Sequence, residues 1–340
     1  MNVRVAINGF GRIGRSFLRA ALAGHSDLDI VAINDLTGPE AIANLLRRDS
    51  IMGSLREVVS VSDGRMRVGP YDITIFSERS PVDLPWAAHD IDVVVESTGL
   101  FTTRAGAAQH LAGGARRVIV SAPCNDADVT IVMGVNDDSL DIERHHVISN
   151  ASCTTNCLAP MINVLHDAFG IQRGLMTTVH AYTGDQLLVD GPHSDARRSR
   201  AAALNIVPTS TGAARATGLV LASMSGRLDG IAVRVPVPVG SLTDFVGLVD
   251  RDVSVDEVNE AFSDAANGAL GSVMHYSSEP LVSSDIIGSP ASCTIDAQLT
   301  MASANLVKVC GWYDNEWGYS NRLAELAQRV GAELACRVRQ

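Results

Sequence analysis

Short apolar blocks, separated by stretches with helical spacing, run through the first half of the chain. Val3, Val5 and Ile7 alternate and predict a strand over Val3–Ile7. From about Arg12 to Ala23, Ile13, Phe17, Ala20 and Ala21 fall on one helical face. Further strand blocks follow at Ile30–Ile33, Ile91–Val95, Val118–Val120 and Val129–Val132. The last three lead into Glu96-Ser97-Thr98-Gly99, Ser121-Ala122-Pro123 and Gly134. Strands alternating with helices predict a doubly wound parallel sheet, whose ligands bind at the strand ends.

From about Ser152 the pattern changes. An apolar helical run over Cys153–Phe169 precedes a strand at Leu175–Val179, and a polar, Arg-rich loop spans Tyr182 to Ala201. Alternating blocks at Ile231–Val237 and Phe245–Val249 predict a mixed or antiparallel sheet covered on one side. Ser254-Val255-Asp256-Glu257 reads as a capping box, and an amphipathic helix is expected from Ser320 to about Val330. The expected class is α/β with two domains. A doubly wound domain covers 1–151, and an α+β domain with a mostly antiparallel sheet covers 152–317. A last helix, about 318–335, is assigned back to the first domain.

Composition narrows the ligand. The 340 residues suffice for two cores, and 46% hydrophobic with 19% charged residues is ordinary for a globular protein. No apolar run is long enough for a bilayer, and the first strand starts at Val3. No signal or transit peptide and no membrane partner are therefore expected, and the expected compartment is cytoplasmic. A net charge of −11 argues against nucleic acid, so an anionic ligand needs local arginines. The six cysteines, at 124, 153, 157, 293, 310 and 336, have no disulfide-framework spacing, and thiols are expected. Cys153 and Cys157 have no nearby Cys or His pair to complete a zinc site, so no metal is expected.

Two stretches carry chemistry. Gly9-Phe10-Gly11-Arg12-Ile13-Gly14 is G-x-G-x-x-G between a predicted strand and helix, the arrangement that brings backbone N–H groups to a pyrophosphate. Asp35 closes the second strand, about 20 residues on, where an acid binds a ribose 2′-hydroxyl and repels a 2′-phosphate. The pair predicts a Rossmann dinucleotide domain that takes NAD. The second stretch is Ser152-Cys153-Thr154-Thr155-Asn156-Cys157. Cys153 stands at a predicted helix start, where free N–H groups favour thiolate; the competing reading is a packed core cysteine. His180, at the end of a predicted strand, is either a core histidine or the base for Cys153.

Five strings in order resemble phosphorylating glyceraldehyde-3-phosphate dehydrogenases over nearly the whole chain. They are Asn8–Arg15, Ala151–Pro160, His180–Gln186, Asn205–Ala214 and Trp312–Ser320. The resemblance implies NAD-dependent oxidation of D-glyceraldehyde 3-phosphate to 1,3-bisphosphoglycerate through a Cys153 thiohemiacetal and thioester, with His180 as base. It implies that Thr183 and Arg234 hold the substrate phosphate, and that Ser152, Thr154, Thr211 and Gly212 hold the inorganic phosphate or the carbonyl end. Arg198 aligns with a phosphate-binding arginine. Arg12, Ile13, Arg79 and Ser121 fall at dinucleotide-contact positions, Asn315 at the nicotinamide carboxamide. A homotetramer is implied, the Tyr182–Ala201 loop being where one subunit supports another's cofactor site.

The chain departs from the family pattern at Arg48-Asp49-Ser50-Ile51-Met52-Gly53, at Arg215 in place of a lysine, and at Cys124 beside the expected cofactor site. Erythrose-4-phosphate dehydrogenase and a non-catalytic dinucleotide-binding redox sensor stand as alternatives.

Overall fold

The computed structural model describes residues 2–337 and divides into two compact units. The first holds the residues up to 131, 138–151 and those from 320 on; the second holds 132–137 and 152–319.

In the first unit the chain runs β1 (Val3–Asn8), α1 (Arg12–Gly24), β2 (Leu28–Asn34) and α2 (Pro39–Arg47). A short hairpin, β3 (Arg48–Asp49) and β4 (Gly53–Ser54), precedes β5 (Val59–Ser62), β6 (Arg65–Val68) and β7 (Tyr71–Phe76). Then come β8 (Val93–Glu96), α3 (Arg104–Ala107), α4 (Gln109–Ala112), β9 (Arg117–Val120), β10 (Val129–Thr130) and β11 (Val147–Ser149). The sheet order is β10-β11-β9-β8-β1-β2-β7-β6-β5, parallel from β10 to β7 and antiparallel beyond. β1 is central because Val5, Ala6 and Ile7 are wholly buried. The strand order turns back between β1 and β8, which makes their C-terminal ends the crevice of the sheet.

In the second unit α5 (Cys153–Phe169) is followed by β12 (Ile171–Ala181), β13 (Val207–Ser210), α6 (Ala213–Val220), β14 (Leu228–Val235) and β15 (Ser241–Val249). After these come α7 (Val255–Asn267), β16 (Met274–Ser277), β17 (Cys293–Asp296), β18 (Met301–Ser303) and β19 (Leu306–Tyr313). The order β13-β14-β12-β15-β19-β17-β16 is mostly antiparallel, with parallel pairs at β14/β12 and β16/β17. Helices α5, α6 and α7 pack on one face around Leu158, Ile162, Leu165, Phe245 and Phe262. The last helix, α8, runs Trp317–Arg337, longer at both ends than its apolar stripe predicts.

Several segments differ from expectation. The apolar pattern assigns nothing between Ile33 and Ile91, where α2 and five strands lie; these strands are two to six residues long and mostly half-exposed. The block Val129–Val132 forms a strand only at Val129–Thr130. Val207–Ser210 contains Pro208 yet is a strand, because β13 lies at the sheet edge where a missing N–H costs nothing. Among the described residues no helix is long and apolar enough to cross a membrane.

Candidate active site

Cys153 is the first residue of α5. Ser152 caps the helix, its Oγ accepting the Thr155 N–H at 3.0 Å, so the chain enters the helix with Cys153 in the first turn. On β12 the residues Gly174, Met176, Thr178 and His180 face inward and alternate with more exposed neighbours, which turns His180 to the side covered by α5. His180 is only 4% exposed, and its Nε2 lies 3.4 Å from Cys153 Sγ. Its Nδ1 lies 2.6 Å from the Ala181 carbonyl, which only accepts; Nδ1 therefore carries the hydrogen and the Nε2 lone pair faces the thiol. The unprotonated nitrogen of the ring is aimed at the cysteine sulfur.

Sheet register supplies the cation. His180 pairs with Arg234 across the parallel β12/β14 ladder, so the two side chains leave the same face side by side. Arg234 donates from Nη1 to Thr183 Oγ1 at 3.1 Å and to the Ala181 carbonyl at 3.3 Å, while its buried Nε has no partner among the described residues. Burial holds the Arg234 pKa below the usual arginine range, partly offset by Cys153. A buried guanidinium with an unspent donor suits an anion.

The electrostatics differ from a simple helix-start thiolate. Burial pushes the Cys153 thiol up to about 11, outweighing Arg234 and the hydrogen bonds from Thr154. Burial and Arg234 push His180 down to about 3. Neither group ionises readily by itself. Passing the proton from sulfur to Nε2 creates opposite charges in contact, each favouring the other, so the thiolate depends on His180 rather than on the helix end alone.

The other expected phosphate residues are placed differently. Ser152 is half-buried, its hydroxyl also 2.7 Å from that of Thr155. Thr154 is buried, with its hydroxyl 2.9 Å from that of Tyr313, so it faces the interior. Thr211 and the exposed Gly212 precede α6, which packs against α5. Arg198 is already bound by Asp185 at 2.7 Å, Thr209 at 3.0 Å and Asp195 at 3.7 Å, so its charge is matched within its own loop. Asn315 is buried, its Oδ1 accepting the Gly240 N–H and the Ser241 hydroxyl, which fixes the carboxamide.

In the first unit a cleft of about 270 Å³ opens at the ends of β1 and β8 and gathers Gly9, Asp35 and Arg79 with Gly11, Ser97 and Thr98. The three motif glycines differ in duty. Gly9 has φ +90°, and a Cβ there would stand 2.7 Å from the Thr98 nitrogen. A Cβ on Gly14 would meet the Gly9 carbonyl at 2.3 Å. Gly11 lines the cleft with open space beyond it, leaving a cradle that a phosphate can approach. Helix α1 starts with Arg12 and Ile13, with no side-chain cap and no acid in its first turn, so its N-terminus favours an anion.

Asp35 accepts the Phe10 N–H at 2.7 Å and the Thr37 N–H at 2.8 Å. The Arg12 side chain is paired with Asp49, so the departing 48–53 loop holds this guanidinium at the start of α1. Ser121, just after β9, donates its N–H to the Glu96 carbonyl at 2.9 Å, and Arg79 is exposed. Cys124 is buried, its thiol pushed up to about 11 by burial and Asp126, and is therefore not a reactive neighbour. Cys157 is fully buried against Met161, as packing.

Sequence reasoning assigned no role to Tyr313. Its hydroxyl meets those of Thr154 and Thr178, at 2.9 and 2.8 Å, and its ring stands edge-on to His180 at 5.9 Å. A tyrosine at the end of a mostly apolar strand is the available signal, since a buried phenol needs partners.

Comparison with known proteins agrees with this arrangement. Residues 3–104 match the family model described as glyceraldehyde 3-phosphate dehydrogenase, NAD binding domain, and residues 152–315 match the C-terminal domain of the same family. A protein named glyceraldehyde-3-phosphate dehydrogenase 2 from Streptomyces avermitilis is 55% identical over 335 residues, covering 98% of this chain and all of the relative. Proteins named glyceraldehyde-3-phosphate dehydrogenase from Mycobacterium leprae and Priestia megaterium are 57% and 54% identical over 98% of this chain, and it covers 100% and 99% of them. With both family domains matched and relatives aligned end to end, the chain belongs to the glyceraldehyde-3-phosphate dehydrogenase family.

Proposed function

We propose that the chain oxidises D-glyceraldehyde 3-phosphate with NAD and captures the product with inorganic phosphate, giving 1,3-bisphosphoglycerate. The observation that carries this reading is the His180 Nε2 lone pair 3.4 Å from Cys153 Sγ, with Arg234 in register beside it. As Cys153 sulfur bonds to the aldehyde carbon, its proton passes to His180 Nε2 and on to the carbonyl oxygen, forming a thiohemiacetal. NAD, when bound in the cleft, would supply the acceptor for the hydride that leaves the adduct's carbon as the thioester forms. His180 takes the hydroxyl proton in that step. Phosphate then attacks the acyl carbon, the carbon–sulfur bond breaks, and Cys153 is restored.

Arg234 and Thr183, already bonded to each other, are assigned to the substrate phosphate, and Ser152, Thr211 and Gly212 to the attacking phosphate. Gly9, the α1 start with Arg12 and Ile13, Asp35, Arg79 and Ser121 are assigned to the dinucleotide, and Asn315 to its carboxamide. The cleft fits that cofactor because of the open cradle at Gly11 and the acid at Asp35. The relatives' names favour this reading over erythrose-4-phosphate dehydrogenase or a redox sensor.

We also assign the chain to a homotetramer in the cytoplasm. Leu175, Ile231 and Leu306 stand exposed on the sheet face opposite the helices, and Leu188 and Val189 on the 182–201 loop are 82% and 71% exposed, an apolar surface that suits a second copy.

The decisive assay follows NAD reduction with glyceraldehyde 3-phosphate, with and without phosphate, beside erythrose 4-phosphate and NADP. Sustained turnover only with glyceraldehyde 3-phosphate, NAD and phosphate is expected. NAD binding without phosphate-dependent turnover sinks the reading.

A further inference from the structure

Beneath the cleft of the first unit lies a buried polar chain that none of the assigned roles uses. Glu96 ends β8, opposite Asn8 at the end of β1. It is 2% exposed, and its Oε2 accepts from Asn8 Nδ2 at 2.6 Å and from His110 Nε2 at 3.0 Å, while its Oε1 accepts the Thr98 N–H at 2.8 Å. His110 is fully buried, and its Nδ1 accepts from the Trp86 indole at 3.0 Å. An indole nitrogen only donates, so His110 Nδ1 must be bare and Nε2 must carry the hydrogen. Asn8 Nδ2 and His110 Nε2 lie 3.3 Å apart because both donate to one oxygen. On the far side Asn8 Oδ1 accepts from Asn34 Nδ2 at 2.7 Å, and Asn34 holds both the carbonyl and the N–H of Glu78.

The chain of bonds therefore runs from Trp86 through His110, Glu96 and Asn8 to Asn34 and Glu78, crossing the ends of three adjacent parallel strands. Asn8, Asn34, Glu78 and Thr98 all line the cleft; Glu96, His110 and Trp86 do not. Asn8, His110 and Thr98 meet the Glu96 carboxylate as uncharged donors, and burying a carboxylate among such donors is costly unless each is aimed at it. In return the carboxylate fixes the turn after β8 to the turn after β1. Ser97 completes the link, its hydroxyl donating to the Gly9 carbonyl at 2.7 Å.

We propose that Glu96, oriented by His110 and Trp86, is a positioning residue for the dinucleotide: it sets the spacing of the Gly9 and Thr98 walls. The proposal rests on the reading of that cleft as the NAD site.

The test uses the full-length protein and NAD itself. Glu96→Gln keeps the shape but turns a donor toward a donor, and should weaken NAD binding roughly ten-fold by direct titration, as expected for one misaligned buried hydrogen bond. KM for NAD should rise by the same factor while kcat and the KM for glyceraldehyde 3-phosphate hold. Trp86→Phe, which frees His110 Nδ1 without touching the cleft, should weaken NAD binding about three-fold, and the double variant should fall short of the product of the two.

Unchanged NAD affinity in a folded Glu96→Gln protein overturns the proposal, as does a rise in both Michaelis constants together. If Glu96→Gln does not fold, unchanged affinity in Trp86→Phe does the same. Wild-type protein that binds no NAD removes the cofactor reading, and this proposal with it.

Discussion

The cleft of the first unit is made of backbone, whereas the Cys153 site of the second is made of side chains. At the cleft, Gly9 turns with a positive φ, Gly14 lets the helix close on the turn, and α1 presents uncapped N–H groups. At Cys153 the work falls to a thiol, an imidazole and a guanidinium, brought together by the β12/β14 register. The first kind of site depends on the path of the backbone and on what holds it, and the second on the identity of three side chains. That difference can be broken or sharpened experimentally.

Replacing the nucleophile should show it most strongly. Cys153→Ser should lower phosphate-dependent NAD reduction by at least about 10³-fold, since serine is not activated by a base of this strength. NAD titration should be unaffected; a loss of NAD binding would mean that the two sites are not separable.

His180→Asn should lower kcat by about 10²- to 10³-fold. It also carries a pH signature. Without an imidazole to take the proton, thiolate forms only as the pH climbs toward the thiol's own raised value of about 11. Alkylation of Cys153 by iodoacetamide should therefore be slower than wild type near neutral pH, and the gap should close as the pH rises. A gap that widens with pH would contradict the pairing.

Arg234→Lys keeps the charge but not the fork, and should raise KM for glyceraldehyde 3-phosphate about ten-fold while leaving NAD affinity alone. Gly9→Ala tests the other material. Its methyl group would stand 2.7 Å from Thr98 nitrogen at an unfavourable φ, and melting curves should show a loss of about 1–3 kcal/mol, with NAD binding weakened. Should Gly9→Ala instead impair only the alkylation of Cys153, the contrast between the regions would fail.

The same difference explains what could be read from the chain beforehand. Gly9, Gly11, Gly14 and Asp35 announce themselves by spacing, because a turn between a strand and a helix is a local object. The core strands β1, β2, β8 and β9 were equally plain, being buried on both faces. The ribbon from Val59 to Phe76 is not, since its strands are only four to six residues long and mostly half-exposed. His180 and Arg234 meet through a parallel register that no spacing encodes, and only the family resemblance singled out Arg234. The resemblance led to Thr154 as a phosphate ligand, but its hydroxyl is bound to Tyr313; motif membership says nothing about which way a hydroxyl turns. The Glu96 chain draws on six residues from separate parts of the sequence and is invisible for the same reason.

Asp35 carries a consequence for how the protein could change. Its carboxylate is the acceptor for Phe10 N–H inside the glycine turn as well as the group assigned to the ribose. Any drift toward a phosphorylated dinucleotide that replaced this acid with a small neutral residue would also loosen the turn that shapes the cleft. Cofactor preference and loop geometry are thus inherited together. A lineage or an engineer seeking to switch the one must first furnish another acceptor for Phe10, so the route to the alternative cofactor takes at least two coordinated steps.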